Sequence, residues 1–202
     1  SIEQEAFYAC SELSEVVLKE GVKTIASNVF TNCPNLTSVT LPNSLIAIGT
    51  EAFRSCSSLT HITIPKNIKS IAERTFYYCT SLATISLPDS LTTIGYQAFY
   101  CSGLTEIDLP NSITSYANNC FEKCRNLTSV TIPAGITSIP NEMFIDCNNL
   151  TSVSIPEGVT TIGASAFQNC NLLSVQLPNS LTKICSSSYY GNPNLSVLII
   201  PN

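Results

Sequence analysis

Apolar residues recur along the whole chain with a period of 22 or 23 positions. The alternation in Leu-x-x-Ile-x-Ile predicts a short strand with one buried face. A proline follows this strand and ends it, because proline cannot donate to a strand ladder. A fixed period of this length predicts a solenoid, in which each unit buries its apolar face only against its neighbours. In residues 59–81 the apolar positions are Leu59, Ile62, Ile64, Ile68, Ile71, Phe76 and Cys79.

The second half of each unit predicts a tight return path. A turn follows the proline, then a short extended piece such as Leu91–Ile94, and then an Ala-Phe-x-x-Cys segment. The three-residue spacing from Phe to Cys predicts a single helical or 3₁₀ turn. Two units are one residue shorter, and the sequence places these deletions between Phe99 and Cys101 and between Cys170 and Leu172.

The position after the second Ile of the return path holds a small residue in most units. It is Gly49, Gly95 or Gly163 in three units but Pro140 in another. Since proline fixes φ near −65°, this position does not require a positive φ. We expect a constraint on size at a tight corner.

The recurring L-x-x-I-x-I-P-x-x-I-x-x-I-G-x-x-A-F-x-x-C resembles the BspA-like, or Treponema-type, leucine-rich repeat over essentially all of residues 1–202. Units depart from it at Lys19, Tyr116, Tyr189 and Asn192. The resemblance implies a right-handed leucine-rich repeat solenoid of about eight 23-residue repeats. It also implies a parallel β-sheet on the concave face, with short strands and single helical or 3₁₀ turns on the convex side.

The resemblance further implies a cell-surface or secreted protein that adheres to host proteins and cells. We expect one elongated domain spanning 1–202. Because the chain begins and ends within a unit, we expect it to be a fragment of a longer array.

Composition restricts the classes of partner. The formal net charge is −5 and only 11% of residues are charged, so nothing favours a phosphate backbone and no nucleic-acid partner is expected. No apolar run approaches the roughly 20 residues of a membrane helix, so no membrane insertion is expected within this chain.

The ten cysteines follow the repeat. An even number could form a disulfide framework, but parallel Cβ vectors at one repeat position favour free, buried thiols. Cys120 fills the alanine position and Cys185 the glycine position, both as packing substitutions. No group of ligands has the spacing of a metal site, so neither a metal nor a cofactor is expected. The cysteines assigned to the repeat position are Cys10, Cys33, Cys56, Cys79, Cys101, Cys124, Cys147 and Cys170.

No catalytic residues are expected. The one histidine, His61, lies on the outward side of its strand and is interpreted as a solvated side chain. Glu106 and Asp108 share one exposed strand face, which is more typical of a solvated charge patch than of an acid–base pair. We place this pair beside His61 and beside Glu122–Lys123 of the neighbouring units.

The outward positions of the strands form the first candidate binding surface. They are mostly hydroxyls, which fits either a solubilising face without a ligand or a flat polar platform that contacts a large protein or glycan. The candidate residues are Ser38, Thr40, His61, Thr63, Thr84, Ser86, Glu106, Asp108, Ser129, Thr131, Ser152 and Ser154.

Tyrosines beside the phenylalanine position form a second candidate surface. Tyr is enriched in interfaces, although aromatic side chains that simply pack on the turn would give the same pattern. The patch consists of Tyr77, Tyr78, Tyr96 and Tyr100.

Four N-x-S/T sequons occupy one repeat position. They would be glycosylation sites in a eukaryotic secretory pathway, although the Asn-Leu-Thr of the consensus also produces them. They begin at Asn35, Asn126, Asn149 and Asn194.

The last strand is apolar, which leaves an open edge. Either further repeats follow it, or it pairs end to end with another chain. Its residues are Val197, Leu198, Ile199, Ile200 and Pro201.

Three functions therefore stay open. The first is a non-enzymatic surface adhesin that binds host or extracellular macromolecules. The second is a structural spacer that projects other domains. The third is an intracellular protein-interaction scaffold.

Overall fold

The computed structural model describes residues 1–200 as a parallel β-solenoid of about eight turns. Every turn but the fifth contributes a three-residue strand to the concave face, and a two-residue strand lies on the return path. The concave strands are β1 (Glu15–Val17), β3 (Ser38–Thr40), β5 (His61–Thr63), β7 (Thr84–Ser86), β10 (Ser129–Thr131), β12 (Ser152–Ser154), β14 (Ser174–Gln176) and β16 (Val197–Ile199). The return strands are β2 (Thr24–Ile25), β4 (Ala47–Ile48), β6 (Ser70–Ile71), β8 (Thr93–Ile94), β9 (Ser115–Tyr116), β11 (Ser138–Ile139), β13 (Thr161–Ile162) and β15 (Lys183–Ile184).

The concave strands pair in twos rather than in one continuous sheet. The hydrogen-bonded pairs are β1 with β3, β5 with β7, β10 with β12 and β14 with β16, all parallel. In β3, β5, β10, β12 and β14 the middle residue is buried and the two outer residues are exposed, which confirms the predicted alternation. In the fifth repeat, Glu106–Asp108 forms no strand and lies between β7 and β10.

A continuous stack of rings fills the core. Seven phenylalanines are less than 2% exposed, and the stack continues from Phe7 at one end to Tyr189 at the other. Adjacent ring centroids lie 5.3–5.7 Å apart and their planes differ by 3–12°, the geometry of offset stacking. Tyr189 replaces phenylalanine in this stack without interrupting it. The buried members are Phe30, Phe53, Phe76, Phe99, Phe121, Phe144 and Phe167.

The convex side consists of β-turns, and no helix occurs within residues 1–200. In the third repeat the amide of Tyr77 donates to the carbonyl of Arg74 at 3.2 Å, whereas the amide of Phe76 donates to Ala98 in the next repeat at 2.8 Å. Backbone amides alternate between these two directions through the turn. The helical turn expected from the Phe-to-Cys spacing is therefore replaced by successive β-turns, because every second amide is needed by the neighbouring repeat.

This alternation requires positive φ two residues before and two residues after each phenylalanine. In the first repeat these residues are Asn28 and Asn32, both with φ 58°, and in the third they are Arg74 (51°) and Tyr78 (58°). Left-handed backbone is unfavourable for residues other than glycine by about 1–2 kcal/mol. The hydrogen bonds and the core packing of the array offset that cost at each repeat.

The thiol ladder differs from the prediction at one residue. Cys101 follows Phe99 by two positions and has φ 56°, so it occupies the positive-φ site and not the ladder. Ser102 fills the ladder site instead, 4% exposed, with its Oγ 3.3 Å from the Sγ of Cys124. The assignment of Cys101 to the ladder was therefore wrong. In both short repeats the missing residue falls between the ladder position and the next leucine, at Gly103 and at Asn171.

Elsewhere the ladder thiols bind backbone carbonyls. The Sγ of Cys56 donates to the carbonyl oxygen of Phe30 at 3.2 Å, and Cys79 does the same to Phe53 at 3.1 Å. Asn192, in the eighth repeat, keeps this role because its Nδ2 donates to Phe167 at 2.8 Å. All ten cysteines are free thiols. The position therefore holds a small or slender donor.

The glycine position is small because the preceding repeat approaches it closely, as predicted. A Cβ on Gly49 would lie 2.6 Å from the carbonyl carbon of Ala26, and one on Gly163 would lie 2.6 Å from that of Pro140. Neither glycine has positive φ. The close contacts are with backbone atoms of the preceding repeat.

Candidate binding surfaces

Most hydroxyls of the concave face make no side-chain hydrogen bond within the protein. The outward side chains of the strands are exposed, apart from half-buried Thr84. Within residues 1–200, side-chain hydrogen bonds of the candidate column are confined to His61: its Nδ1 lies 2.8 Å from Thr84 Oγ1 and its Nε2 lies 3.1 Å from Thr63 Oγ1. The other hydroxyls of this face are left for solvent or a ligand.

Depressions in the concave face coincide with the gaps in strand pairing. The largest, about 610 Å³, surrounds Glu106 and Asp108 in the unpaired fifth repeat. A second of about 460 Å³ lies where β3 faces β5, and a third of about 440 Å³ lies where β12 faces β14. The acidic pair therefore lies in the broadest hollow of the face, with Thr84, Ser86, Ser129 and Thr131 around it.

Neither His61 nor Glu122–Lys123 lies beside the acidic pair, so this prediction was wrong. His61 pairs with Thr84 in β7, so one whole repeat separates it from Glu106. Lys123 lies on the convex turn, where its Nζ contacts the hydroxyl of Tyr100 at 2.7 Å and Glu122 Oε1 at 3.2 Å. Glu122 and Lys123 belong to the tyrosine surface, because the residues after each phenylalanine point away from the strands.

The tyrosine patch is a packed cluster on the convex turns. Tyr77 and Tyr100 stack with centroids 4.6 Å apart and planes 13° apart. Tyr78 packs against both, at 4.9 Å and 63° to Tyr77 and at 5.4 Å and 52° to Tyr100. Tyr78 and Tyr96 are 41% and 37% exposed, whereas Tyr100 is buried. Some rings therefore pack on the turn and others face solvent, and a binding role for the patch stays a prediction.

Cations cover the faces of the packed rings. The Cζ of Arg54 lies 5.3 Å from the Tyr77 centroid, Arg74 lies 5.4 Å from Tyr96, and the Nζ of Lys123 lies 4.9 Å from Tyr100. The hydrogen bond to Tyr100 is the main reason why the pKa of Lys123 is raised. Burial is the main reason why the pKa of Tyr77 is raised.

Carboxylates hold two of these cations in place. Glu51 binds Arg54 at 2.8 Å and Arg74 at 3.6 Å. Its side chain is 17% exposed, compared with 41% for Arg54 and 34% for Arg74. Arg74 also pairs with the more exposed carboxylate of Glu73 at 3.2 Å, so the cluster has one inner and one outer carboxylate. The sequence-based prediction of this patch did not include Arg54 or Arg74. Comparing the repeat positions on either side of the phenylalanine would have placed both beside Tyr77.

Burial raises the pKa values of the most deeply buried ladder thiols. Burial raises the pKa of Cys79 and of Cys124 to about 12, and it raises the pKa of Cys147 well above its ordinary value. A buried thiol of this kind is a packing group rather than a nucleophile. Within the described residues, no three His, Cys, Asp or Glu side chains converge as a metal site would require.

The four sequons lie at exposed asparagines on one edge of the solenoid. Asn35 Nδ2 donates to the carbonyl of Ser11 at 2.9 Å, and Asn194 Nδ2 donates to Asn171 Oδ1 at 2.6 Å. Asn126 makes a longer contact of 3.4 Å with Gly103. Three of the four asparagines thus link their repeat to the preceding one, and glycosylation of all four sites stays a prediction.

The last strand, β16, is exposed throughout. Val197, Leu198, Ile199 and Ile200 are 50%, 44%, 52% and 62% exposed. Its partner is β14, with Val197 opposite Ser174. Pro201, which the sequence assigned to this strand, lies outside the described residues.

Comparisons with known proteins agree on the repeat class. A family model described as a BspA type leucine rich repeat region matches residues 1–128 and 69–196, with six copies. No curated protein matches the chain. No helix among the described residues has the length and apolar character needed to cross a membrane.

Solved structures of bacterial proteins share the fold. A leucine rich repeat protein from T. pallidum is 34% identical over 78% of this chain and 77% of its own, with a TM-score of 0.73. A leucine rich cell surface protein from Faecalibacterium prausnitzii is 28% identical over 98% of this chain and 69% of its own, with a TM-score of 0.65. A leucine-rich repeat protein from Bacteroides ovatus is 25% identical over the same shares, with a TM-score of 0.60.

Proposed function

The chain belongs to the BspA-type leucine-rich repeat family, and we propose that it is a non-enzymatic cell-surface adhesin. It binds a host or extracellular macromolecule through its concave face. The observation that carries this proposal is the unpaired fifth repeat, where Glu106 and Asp108 project into the largest depression of the face. A solved relative described as a cell surface protein supports the location.

The chemistry of the face favours a protein partner that carries basic side chains. Among residues 1–200, no cation forms a salt bridge with Glu106 or Asp108. The hydroxyls around them are uncharged. A lysine or arginine of the partner would place its charge between the two carboxylates. Single hydroxyl contacts are weak, so affinity must come from contact area and from several repeats acting together.

The test is binding of the folded chain to immobilised fibronectin, laminin and collagen and to intact epithelial cells. The double variant Glu106→Gln/Asp108→Asn should weaken binding and reduce its salt dependence. The matched control Glu3→Gln/Glu12→Gln removes the same charge away from the concave face and should leave binding unchanged. Absence of binding by the folded wild type, or equal binding by the first variant, would overturn the proposal.

The spacer and scaffold alternatives make a different prediction. A spacer needs only the core ladder, so exchanging the outward residues of β10 and β12 for those of other repeats should leave its function intact. An intracellular scaffold would bind a protein but would not be displayed on intact cells, which surface labelling distinguishes.

End-to-end association is a further proposal for the apolar last strand. The exposed residues Val197–Ile200 would pair with another chain along the open edge. Sedimentation at rising concentration tests it, and a strict monomer would contradict it. Val197→Thr/Ile199→Thr should abolish the association without altering the core.

A further inference from the structure

A groove outside the concave face runs along the first turns of the convex side. It has a volume of about 420 Å³ and lies between two columns of side chains. One column follows each phenylalanine by two residues, and the other follows each ladder position by one. Those that matter here are Ala9, Asn32, Ser55 and Tyr78 of the first column and Ser57 and Thr80 of the second.

The first column of the groove begins with the short, uncharged side chains of Ala9, Asn32 and Ser55. In the same column the fifth and sixth repeats hold Lys123 and Asp146. Tyr78 closes the end of the groove with a ring that is 41% exposed. Its packing on Tyr77 and Tyr100 fixes the ring before any ligand arrives, which lowers the entropy lost on binding.

The lining surface is mostly apolar and carries no formal charge, and the hydroxyls of Ser57 and Thr80 are barely engaged. Ser57 Oγ and Thr80 Oγ each lie 3.4 Å from the nearest carbonyl, that of Pro34 and that of Ser57. These distances exceed the usual range of about 2.5–3.0 Å for a hydroxyl donor. Thr37, in a column that joins adjacent repeats, reaches its carbonyl at 3.0 Å. The groove hydroxyls are therefore available to a ligand.

The backbone of the groove is not available to a peptide. The amides of Ala9, Asn32, Ser55 and Tyr78 each donate to a carbonyl of the next turn at 2.7–2.8 Å. An extended peptide that adds to an edge depends on such amides for its affinity. Lack of formal charge among the lining residues likewise disfavours an ionic ligand.

We propose that this groove binds a neutral oligosaccharide. Sugar hydroxyls would exchange hydrogen bonds with Ser55, Ser57 and Thr80, and the C–H face of one ring would stack on Tyr78, whose ring is both apolar and polar at its tip. Three steps of about 4.8 Å between turns give a groove of roughly 14 Å, the span of about three pyranose rings. This site is independent of the concave surface and goes beyond the proposed adhesin function.

The test uses saturation-transfer NMR with cellotetraose, maltotetraose and chitotetraose on the whole chain. At least one of the three should bind to the wild type. Tyr78→Ala should weaken that binding about tenfold, and Ser57→Leu, which fills the groove, should abolish it. Tyr78→Phe keeps the ring and should retain binding, which separates loss of the platform from loss of folding. Tyr96→Ala is the matched control, since Tyr96 is exposed but does not line the groove.

Two outcomes overturn the proposal. One is the absence of saturation transfer to all three sugars at millimolar concentration with folded protein. The other is binding that persists in Tyr78→Ala or disappears in Tyr96→Ala. Adhesion through Glu106 and Asp108 should be unaffected by Ser57→Leu, so failure of the groove and failure of the adhesin proposal give different results.

Discussion

The convex turns and the concave strands of this solenoid differ in how continuously they join the repeats. Along the turns, amides donate to the next repeat from Glu5 to Asn169, and the ring stack continues through every unit. Along the concave face, strand pairing joins repeats two at a time and is absent at the fifth repeat, where only the backbone of Thr105 still bonds to both neighbouring repeats. The array is therefore held together mainly by its turns, and the strand face can change without breaking the fold.

This difference between turns and strands explains which repeat positions accept only one type of residue. The stacked position accepts only an aromatic ring of phenylalanine size, because each ring contacts the one above and the one below. The outward strand positions accept hydroxyls, an acidic pair and a histidine, because nothing in the neighbouring repeats depends on most of them. Because few contacts within the fold depend on these side chains, the concave face can carry different binding residues in different repeats.

Removing a ring from the turns should cause the largest loss of stability, and removing a side chain from the concave face should cause almost none. Phe76 is fully buried between Phe53 and Phe99, with centroids 5.7 and 5.5 Å away. Phe76→Ala should lower the free energy of unfolding by about 3–5 kcal/mol. Ser129→Ala on the concave face should change it by less than about 0.5 kcal/mol. Urea unfolding followed by circular dichroism measures both, and similar losses in the two variants would refute the proposed division of roles.

Much of the fold was predictable from the period alone. Leu59, Ile62 and Phe76 recur at fixed spacing, and fixed spacing determines both the strands and the buried face. Turn conformation was not predictable, because the positive-φ sites hold residues such as Arg74 and Tyr78 and not the glycine that would reveal them. Those sites adopt this backbone only because the adjacent repeat supplies partners for alternate amides.

The repeat predicted which residues lie on each candidate surface, but it did not predict the shape of that surface. Repeat position predicted which hydroxyls face outward on β3 and β10. The hollow at Glu106 depends on strand pairing that stops at one repeat, which no local pattern indicates. Cys101 was misplaced because residue identity suggested the ladder, whereas the backbone places Ser102 there.

The aromatic stack has one imperfect member, and correcting it should strengthen the turns. Tyr189 occupies the phenylalanine position, and its buried hydroxyl finds no partner. Tyr189→Phe should therefore raise the free energy of unfolding by about 1 kcal/mol. Tyr100→Phe is the control of opposite sign, because the hydroxyl of Tyr100 contacts Lys123 at 2.7 Å. Stabilisation by both variants, or by neither, would mean that hydroxyl pairing is not the cause.

Exchanging serine for glycine should have opposite effects on the two sides. Ser165 lies in a turn with φ 54°, so Ser165→Gly should stabilise the protein by about 0.5–1 kcal/mol. Ser154 lies in β12, where Ser154→Gly should destabilise by a similar amount. Thermal unfolding of both variants gives the comparison. A destabilised Ser165→Gly would show that the turn needs its side chain more than it needs relief of φ.

The smallest expected effect concerns Glu157, whose carboxylate connects the repeats of β12 and β14, two concave strands that are not paired with each other. Glu157, after β12, accepts hydrogen bonds from the backbone amides of Asn179 at 3.0 Å and Ser180 at 3.2 Å, after β14. The bond from Asn179 is the main reason why the pKa of Glu157 is lowered. A lowered folded-state pKa means that this stabilisation is present above the unfolded value of about 4.3 and is lost as the pH falls through the folded value.

Glu157→Gln should therefore melt below the wild type at pH 7, and the two melting temperatures should converge below about pH 4. The control Glu12→Gln removes an equal charge from a carboxylate that accepts no backbone amide of the next repeat. Its melting temperature should follow that of the wild type more closely at pH 7. A Glu157→Gln deficit that is equally large at pH 7 and at pH 3 would show that the shape of the side chain matters and its charge does not. Convergence would instead show that the ionised carboxylate strengthens the link between two repeats whose concave strands are not paired with each other, in addition to the pairing of β13 with β15.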